Sequence, residues 1–133
     1  MRVAVLDDYQ GVAASFGPWE SLGDDVEVRF FRDHVDDDDA LVALLTPYEV
    51  IVAMRERTPF TAARLARLPN LRLLVTTGMR NASIDVAAAR AQGIVVSGTG
   101  GISGATVELT WGLIIALTRH ICVEHERMHV GGW

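Results

Sequence analysis

Lysine is absent from this sequence, and cysteine occurs once in its 133 residues. The twelve basic residues are all arginines and are outnumbered by 17 acids, so the chain has no basic stripe that would suit nucleic acid. The lone Cys122 has no partner for a disulfide within the chain, which favours a reducing compartment. No apolar stretch approaches the ~20 residues of a membrane-spanning helix. Because the N-terminus begins directly on a strand-like run, Val3–Leu6, we expect a cytoplasmic protein without nucleic-acid or membrane partners.

Short apolar runs alternate with helix-like segments along most of the chain. Helices are expected at Ala40–Leu45, at Thr61–Leu68, and at Ile84–Gln92 with Ser83 as N-cap and Gly93 as C′ residue. Strands joined by helical crossovers form a parallel sheet with helices on both faces. We therefore predict an α/β fold with a doubly wound, five-stranded parallel sheet of flavodoxin-like type and strand order 2-1-3-4-5. The five predicted strands are Arg2–Asp7, Val26–Phe31, Tyr48–Ala53, Leu71–Thr76 and Ile94–Ser97.

The C-terminal part of the chain departs from this alternation. After the glycine-rich segment Gly98–Gly104, one long helix is predicted from Ala105 to Arg127, and its middle, Trp111–Leu117, is apolar around the whole circumference. Such a helix needs cover on all sides, whereas its own sheet can cover only one. We therefore divide the chain into a sheet domain at 1–104 and an interdomain helix with linker at 105–133.

Four segments, in this order, give the sequence a resemblance to the N-terminal portion of the D-isomer-specific 2-hydroxyacid dehydrogenases. In that family, loops of similar composition follow the third and fourth strands, a glycine-bearing segment follows the fifth, and a long helix crosses to the cofactor domain. The departures are Glu56 for a small hydroxyl residue, Arg80 for a glycine, and Gly98 and Gly100 for Asn and Pro. The four segments are Met54–Thr58, Thr77–Asp85, Gly93–Gly101 and Val107–Thr110, with Gly131–Trp133 at the crossing.

The resemblance implies a substrate-binding domain whose catalytic residues, and whose principal site for NAD or NADP, belong to a second domain missing from this chain. Within the chain it implies Thr106 as the residue facing the nicotinamide, with a simple helix-turn residue as the alternative. A 2-hydroxyacid or 2-oxoacid presents a carboxylate, which backbone N–H groups before a helix can bind. Arg80 would add a fixed charge, or would be a solvated surface residue. The predicted substrate-binding residues are Arg55, Thr58, Gly78, Met79 and Arg80.

Two further motifs suggest other chemistry. Gly98–Gly104 follows a strand and precedes a helix, but it matches neither nucleotide-binding fingerprint, so we interpret it as a hinge. His125 and His129 form a His-Glu-x-x-His pattern, with Cys122 on the same helix face. Because no further ligand follows this pattern, we expect no metal site and at most adventitious zinc. Glu56 and Arg57 are expected to form a surface ion pair.

The sequence thus predicts the substrate-binding portion of an NAD(P)-dependent oxidoreductase of D-2-hydroxyacids. The small acid, the missing cofactor domain and a second copy of the chain, paired through the helix at 105–127, are its expected partners. We expect the isolated chain to be inactive. The alternative from another class is a stand-alone flavodoxin-like binding or interaction module without enzymatic activity.

Overall fold

A computed structural model describes residues 1–101 and 104–132. The chain forms two compact units, Met1–Gly100 and Gly101–Trp133. The first contains a five-stranded, wholly parallel sheet of order β2-β1-β3-β4-β5, as the sequence predicts. The predicted fold class is therefore confirmed. The strands are β1 (Arg2–Val5), β2 (Glu27–Phe30), β3 (Val50–Ala53), β4 (Leu73–Thr76) and β5 (Val95–Gly98).

One face of the sheet carries the hydrophobic core. The three crossovers after β2 all run in the same direction across the sheet, so right-handedness places their helices on one face. These helices are α1 (Asp38–Leu45), α2 (Ala62–Leu65) and α3 (Val86–Ala91). The buried core consists of apolar side chains from the three helices, the facing side of the strands and the loops between them, including Leu45, Ile51, Phe60, Leu65, Leu74 and Ala89.

The second face is covered only in part, although the sequence predicts helices on both faces. The crossover from β1 to β2 runs in the opposite direction and contains two short 3₁₀ helices, Ala13–Ser15 and Trp19–Leu22. Gly17, Pro18 and Gly23 interrupt this crossover and disfavour a longer helix. Within the first unit a groove of about 700 Å³ remains beside it. Its walls include Val3, Val5, Phe16, Trp19, Leu22, Val50, Val52, Leu73 and Val75.

The ends of α3 show which local signals determined it. Gly93 adopts φ +74°, its N–H donates to Arg90 O and the Ile94 N–H donates to Ala89 O, which is the predicted glycine C′ arrangement. The predicted Ser83 N-cap is wrong, because the Asp85 carboxylate accepts from Ala88 N–H at 2.9 Å. The Ser83 carbonyl instead accepts a hydrogen bond from Phe60 N–H, and the parallel bridge between Phe60 and Ile84 delays the start of the helix to Val86.

The second unit contains two helices where the sequence predicts one. They are α4 (Gly104–Thr118) and α5 (Ile121–His129), bent by 61° at a break where His120 has φ +54°. The Thr118 hydroxyl donates to Ile114 O at 2.9 Å, a side-chain bond that competes with the helical ladder. No described residue of α4 is buried. Among residues 1–101 and 104–132, no single helix has both the length and the composition of a membrane span. The helices α4 and α5 meet these two criteria only when they are taken together as a bent pair.

We predict that Phe60→Ala lowers the free energy of unfolding by about 3–5 kcal/mol, since Phe60 is fully buried between the sheet and the α2–α3 layer. Urea unfolding monitored by circular dichroism measures it. Phe16→Ala is the matched control: Phe16 is 83% exposed, and we expect a change within about 0.5 kcal/mol. Equal losses in the two variants would contradict the placement of the core.

Candidate functional site

The loops after β3 and β4 are joined to each other at the carboxyl edge of the sheet. Arg55 N–H donates to Thr77 Oγ1 at 3.0 Å, and the Arg55 guanidinium donates to Thr77 O at 3.4 Å. From the other side, Asn81 Nδ2 donates to Arg55 O at 2.6 Å and to Thr76 Oγ1 at 2.9 Å. The structure thus brings the predicted residue Arg55 directly against the predicted substrate-binding loop Gly78–Arg80, which we call the Gly78 loop.

Two glycines allow this close approach. Gly78 has φ +111°, and a Cβ there would collide with the Arg55 guanidinium. A Cβ on Gly98 would lie 2.8 Å from Gly78 O, too close for any real contact. Gly98, which departs from the family's usual Asn, is therefore matched to the backbone of the Gly78 loop.

The amides of the Gly78 loop differ in availability. Gly78 N–H donates to Thr99 Oγ1 at 2.8 Å, so it is already used inside the edge. The Met79 and Arg80 N–H groups donate to no other residue within the described part of the chain. Both residues are exposed. Two of the three predicted loop residues therefore offer a free backbone donor at this edge.

The dipole of α3 contributes less than the sequence suggested. We expected the Gly78 loop to end at a helix N-terminus, but α3 begins at Val86 and its first amides are capped by the Asp85 carboxylate. Binding of an anion at this loop would therefore depend on the two backbone amides and on the guanidinium groups of Arg55 and Arg80.

Thr58 lies away from solvent. It is 2% exposed, and its hydroxyl donates to Asp7 Oδ2 at 2.6 Å. Asp7 is also buried, and its other oxygen lies 2.8 Å from His34 Nδ1. Sequence reasoning missed both Asp7 and His34. The available signal was an acid directly after the first strand, at the edge where the other loops converge.

Arg57 and Glu56 do not pair with each other as predicted. Arg57 Nη1 donates to Asp7 O at 2.5 Å, and its guanidinium lies 4.4 Å from the centre of the Tyr9 ring. Glu56 is instead closest to Arg55, with Oε2 3.9 Å from Nε. The expectation was wrong because it counted sequence neighbours, whereas the loop turns Arg57 toward β1.

The turn after β1 does not suit a dinucleotide phosphate. In nucleotide-binding α/β folds, the N–H groups of this turn and of the helix after it bind phosphate oxygens. Here the buried Asp8 carboxylate accepts from Val12 N–H and Ala13 N–H, both at 3.1 Å. A phosphate at this position would meet a carboxylate and amides that are already occupied. The described residues of the first unit therefore do not fit the phosphates of a dinucleotide at this turn.

Thr106, His125 and His129 belong to the second unit, whereas the predicted hinge Gly98–Gly104 begins in the first, where Gly98 ends β5. Thr106 lies in the first turn of α4, exposed, with its carbonyl accepting from the Thr110 hydroxyl at 2.7 Å. Of the predicted hinge Gly98–Gly104, residues 102 and 103 lie outside the described residues. The rings of His125 and His129 are 4.3 Å apart. Within the described ranges, no three His, Cys, Asp or Glu residues are arranged to hold a metal ion.

Comparison with known proteins yields relatives that are considerably longer. A hydroxypyruvate reductase of Thermotoga maritima is 32% identical over 108 residues, which make up 80% of this chain and 35% of that protein. A glyoxylate/hydroxypyruvate reductase of Arabidopsis thaliana is 33% identical over 78 residues, or 58% of this chain and 24% of that protein. The chain thus spans about a third or less of the length of these relatives.

A solved structure shows the same fold at higher identity. The phosphoglycerate oxidoreductase from Vibrio cholerae O395 superposes with a TM-score of 0.83 at 40% identity, covering 100% of this chain and 42% of that one. The family model for the catalytic domain of D-isomer specific 2-hydroxyacid dehydrogenases matches residues 4–127. On this evidence the chain belongs to the D-isomer specific 2-hydroxyacid dehydrogenase family.

Proposed function

We propose that this chain is the substrate-binding portion of an NAD(P)-dependent oxidoreductase that interconverts D-2-hydroxyacids and 2-oxoacids. The observation that carries the proposal is the loop Gly78–Arg80, in which the Met79 and Arg80 amides donate to no described residue and Gly78 lies against the guanidinium of Arg55. These donors belong to the loops at the carboxyl ends of the adjacent strands β3 and β4, and ligands of parallel sheets bind at the carboxyl ends of the strands. The names of the relatives favour small 2-oxoacids such as hydroxypyruvate and glyoxylate.

The substrate carboxylate is held by the Gly78–Arg80 loop. The Met79 and Arg80 N–H groups donate to its oxygens, and the Arg80 side chain adds a charge-assisted bond. Arg55 supplies positive charge to the same edge while its own backbone is fixed by Thr77 and Asn81. Thr58, three residues after Arg55, fixes the same loop to Asp7. This arrangement would orient an acid by its carboxylate and present the neighbouring C2 atom.

A nicotinamide cofactor, when bound, would exchange a hydride with that C2 atom. Because the turn after β1 does not fit the cofactor's phosphates, we assign the cofactor to the part of the longer relatives that this chain does not span. Thr106 remains a predicted contact to it. No residue of this chain is assigned a role in proton or hydride transfer.

We predict that the isolated chain binds oxamate, an unreactive 2-oxoacid analogue, at the Gly78–Arg80 loop. Arg80→Ala should weaken binding by about tenfold or more, because a hydrogen bond to a charged group contributes ~1.5–3 kcal/mol. Titration followed by the amide resonances of Met79 and Arg80 measures it. Arg72→Ala is the control, since Arg72 is an exposed arginine just before the amino end of β4, the strand that leads into the Gly78–Arg80 loop. Equal weakening by both variants would count against a specific site.

We also predict that the isolated chain does not reduce 2-oxoacids. The assay is NADH oxidation in the presence of glyoxylate, pyruvate or hydroxypyruvate at high protein concentration. The rate should equal that of the buffer, because the groups that would hold the cofactor's phosphates and transfer a proton are assigned to another domain. Turnover in proportion to the amount of chain added would refute the assignment of the cofactor-binding and proton-transferring groups to another domain.

Self-association of the isolated chain follows from α4. Its Trp111 and Leu113 are 61% and 55% exposed, and burial of two such side chains is worth on the order of 3–6 kcal/mol. We predict a dimer through this helix in sedimentation velocity, weakened by Leu113→Glu. Phe16→Glu, in the other unit, is the control and should leave association unchanged. If Phe16→Glu weakens the dimer and Leu113→Glu does not, the interface lies at the groove of the first unit and not at α4.

A further inference from the structure

Asp7 is the only described non-glycine residue of the first unit, besides Arg55, whose backbone has a positive φ. Its φ is +55°, and it is 2% exposed at the carboxyl end of β1. The left-handed region is disfavoured for most side chains but is tolerated by Asp, Asn and Gly. A buried carboxylate in this conformation persists only where its surroundings hold it there.

The partners of Asp7 come from two other strands of the sheet. Its Oδ1 lies 2.8 Å from Nδ1 of His34, in the loop after β2, and its Oδ2 accepts from the Thr58 hydroxyl in the loop after β3. Its carbonyl accepts from Arg57 in that same loop. The carboxylate thus joins three adjacent loops, two of them at sequence separations of 27 and 51 residues.

We propose that Asp7 is a positioning residue for the substrate edge, by which we mean the loops after β3 and β4 that carry Arg55 and Gly78–Arg80. Through Thr58 and Arg57, Asp7 holds the loop after β3 (the β3 loop) where Arg55 contacts the Gly78 loop. The β3 loop has two anchors, Asp7 on the β1 side and the pair Thr77 and Asn81 on the β4 side. Arg55 lies between them, in its own left-handed conformation. Release of the β1 anchor frees Arg55 to move although nothing touching the ligand has changed. This inference rests on the proposed carboxylate site.

The first test is amide hydrogen exchange in the ligand-free chain. Asp7→Gly removes the carboxylate and its bond to Thr58 but keeps the carbonyl that accepts from Arg57. It adds no backbone strain, because glycine accepts a positive φ. We expect the Arg55 amide to exchange at least about tenfold faster, as its bond to Thr77 opens locally, while the Gly78 amide, bonded to Thr99, stays protected. Asp7→Asn keeps the left-handed preference and one acceptor, and should restore part of the protection.

Asp8→Gly is the matched control. Asp8 is equally buried, but its carboxylate bonds Val12 and Ala13 in the β1–β2 crossover and not the β3 loop. It should leave the exchange of Arg55 unchanged. If Asp7→Gly does not fold, Thr58→Val removes only the hydroxyl that reaches Asp7, and Thr58→Ser should rescue it. Equal exchange of Arg55 in the Asp7 and Asp8 variants, or in Thr58→Val and wild type, overturns the proposal.

The second test is oxamate affinity. Asp7→Gly should weaken binding by about tenfold, since small displacements of a positioning group are costly, and Asp8→Gly should leave it within about twofold. If wild-type chain binds no oxamate, the carboxylate site is wrong, and hydrogen exchange alone still decides whether Asp7 positions Arg55. If exchange responds as expected but oxamate binds equally well to both variants, Asp7 is structural only and its role at the substrate edge is refuted.

Discussion

Right-handed crossover between parallel strands is the constraint on which the rest of the first unit depends. The strand β2 lies on one side of β1, and every later strand is added on the other side. The three crossovers after β2 therefore run in the same direction, and their helices lie together on one face. Because all five strands are parallel, every loop that follows a strand begins at the same edge of the sheet. Residues as distant in sequence as Asp7, Thr58 and Asn81 therefore reach a common polar layer above the core. The apolar groove on the opposite face has the same origin, since the single crossover there forms only short 3₁₀ helices.

Hydroxyl and amide side chains hold the loops together at that edge. Thr76 and Thr77 accept from the Asn81 side chain and the Arg55 amide, and Thr99 accepts from Gly78 N–H. The loops can approach this closely because Gly78 and Gly98 carry no Cβ. The amides of Met79 and Arg80 are among those that remain unused within the described residues. A rigid edge with two free donors and nearby guanidinium groups is suited to a planar anion, since little ordering is needed when the anion binds.

The sequence predicted features that depend on local pattern and failed for those that depend on distant contacts. Strand positions and sheet order follow from apolar runs and crossover handedness, and the Gly93 terminus of α3 follows from a local glycine signal. The Ser83 cap failed because Phe60, 23 positions earlier in the chain, draws that segment into an extended bridge. The prediction of a single C-terminal helix was wrong, because the helix breaks between Thr118 and His120, where the sequence has no Gly or Pro to indicate a break. Asp7 and His34 were missed because nothing local indicates that they meet.

The position of Asp7 explains why the candidate site lies over β3 and β4 and not over β1. In sheets of order 2-1-3-4-5, ligands commonly bind in the crevice between the loops of β1 and β3, where the direction of the connections reverses. In this chain Asp7 accepts from Thr58 and Arg57 between these loops, and Asp8 takes up the amides of the following turn. The apolar groove on the open face of the sheet continues to this end of β1 and β3. The buried Asp8 carboxylate, which occupies the Val12 and Ala13 amides, disfavours an anion at the turn after β1. The neighbouring edge between β3 and β4 has the opposite character, with exposed arginines and free amides. The contact that fixes the loop after β3 thus also places a buried carboxylate beside β1, and among the described residues the edge between β3 and β4 is the better match for an anionic substrate.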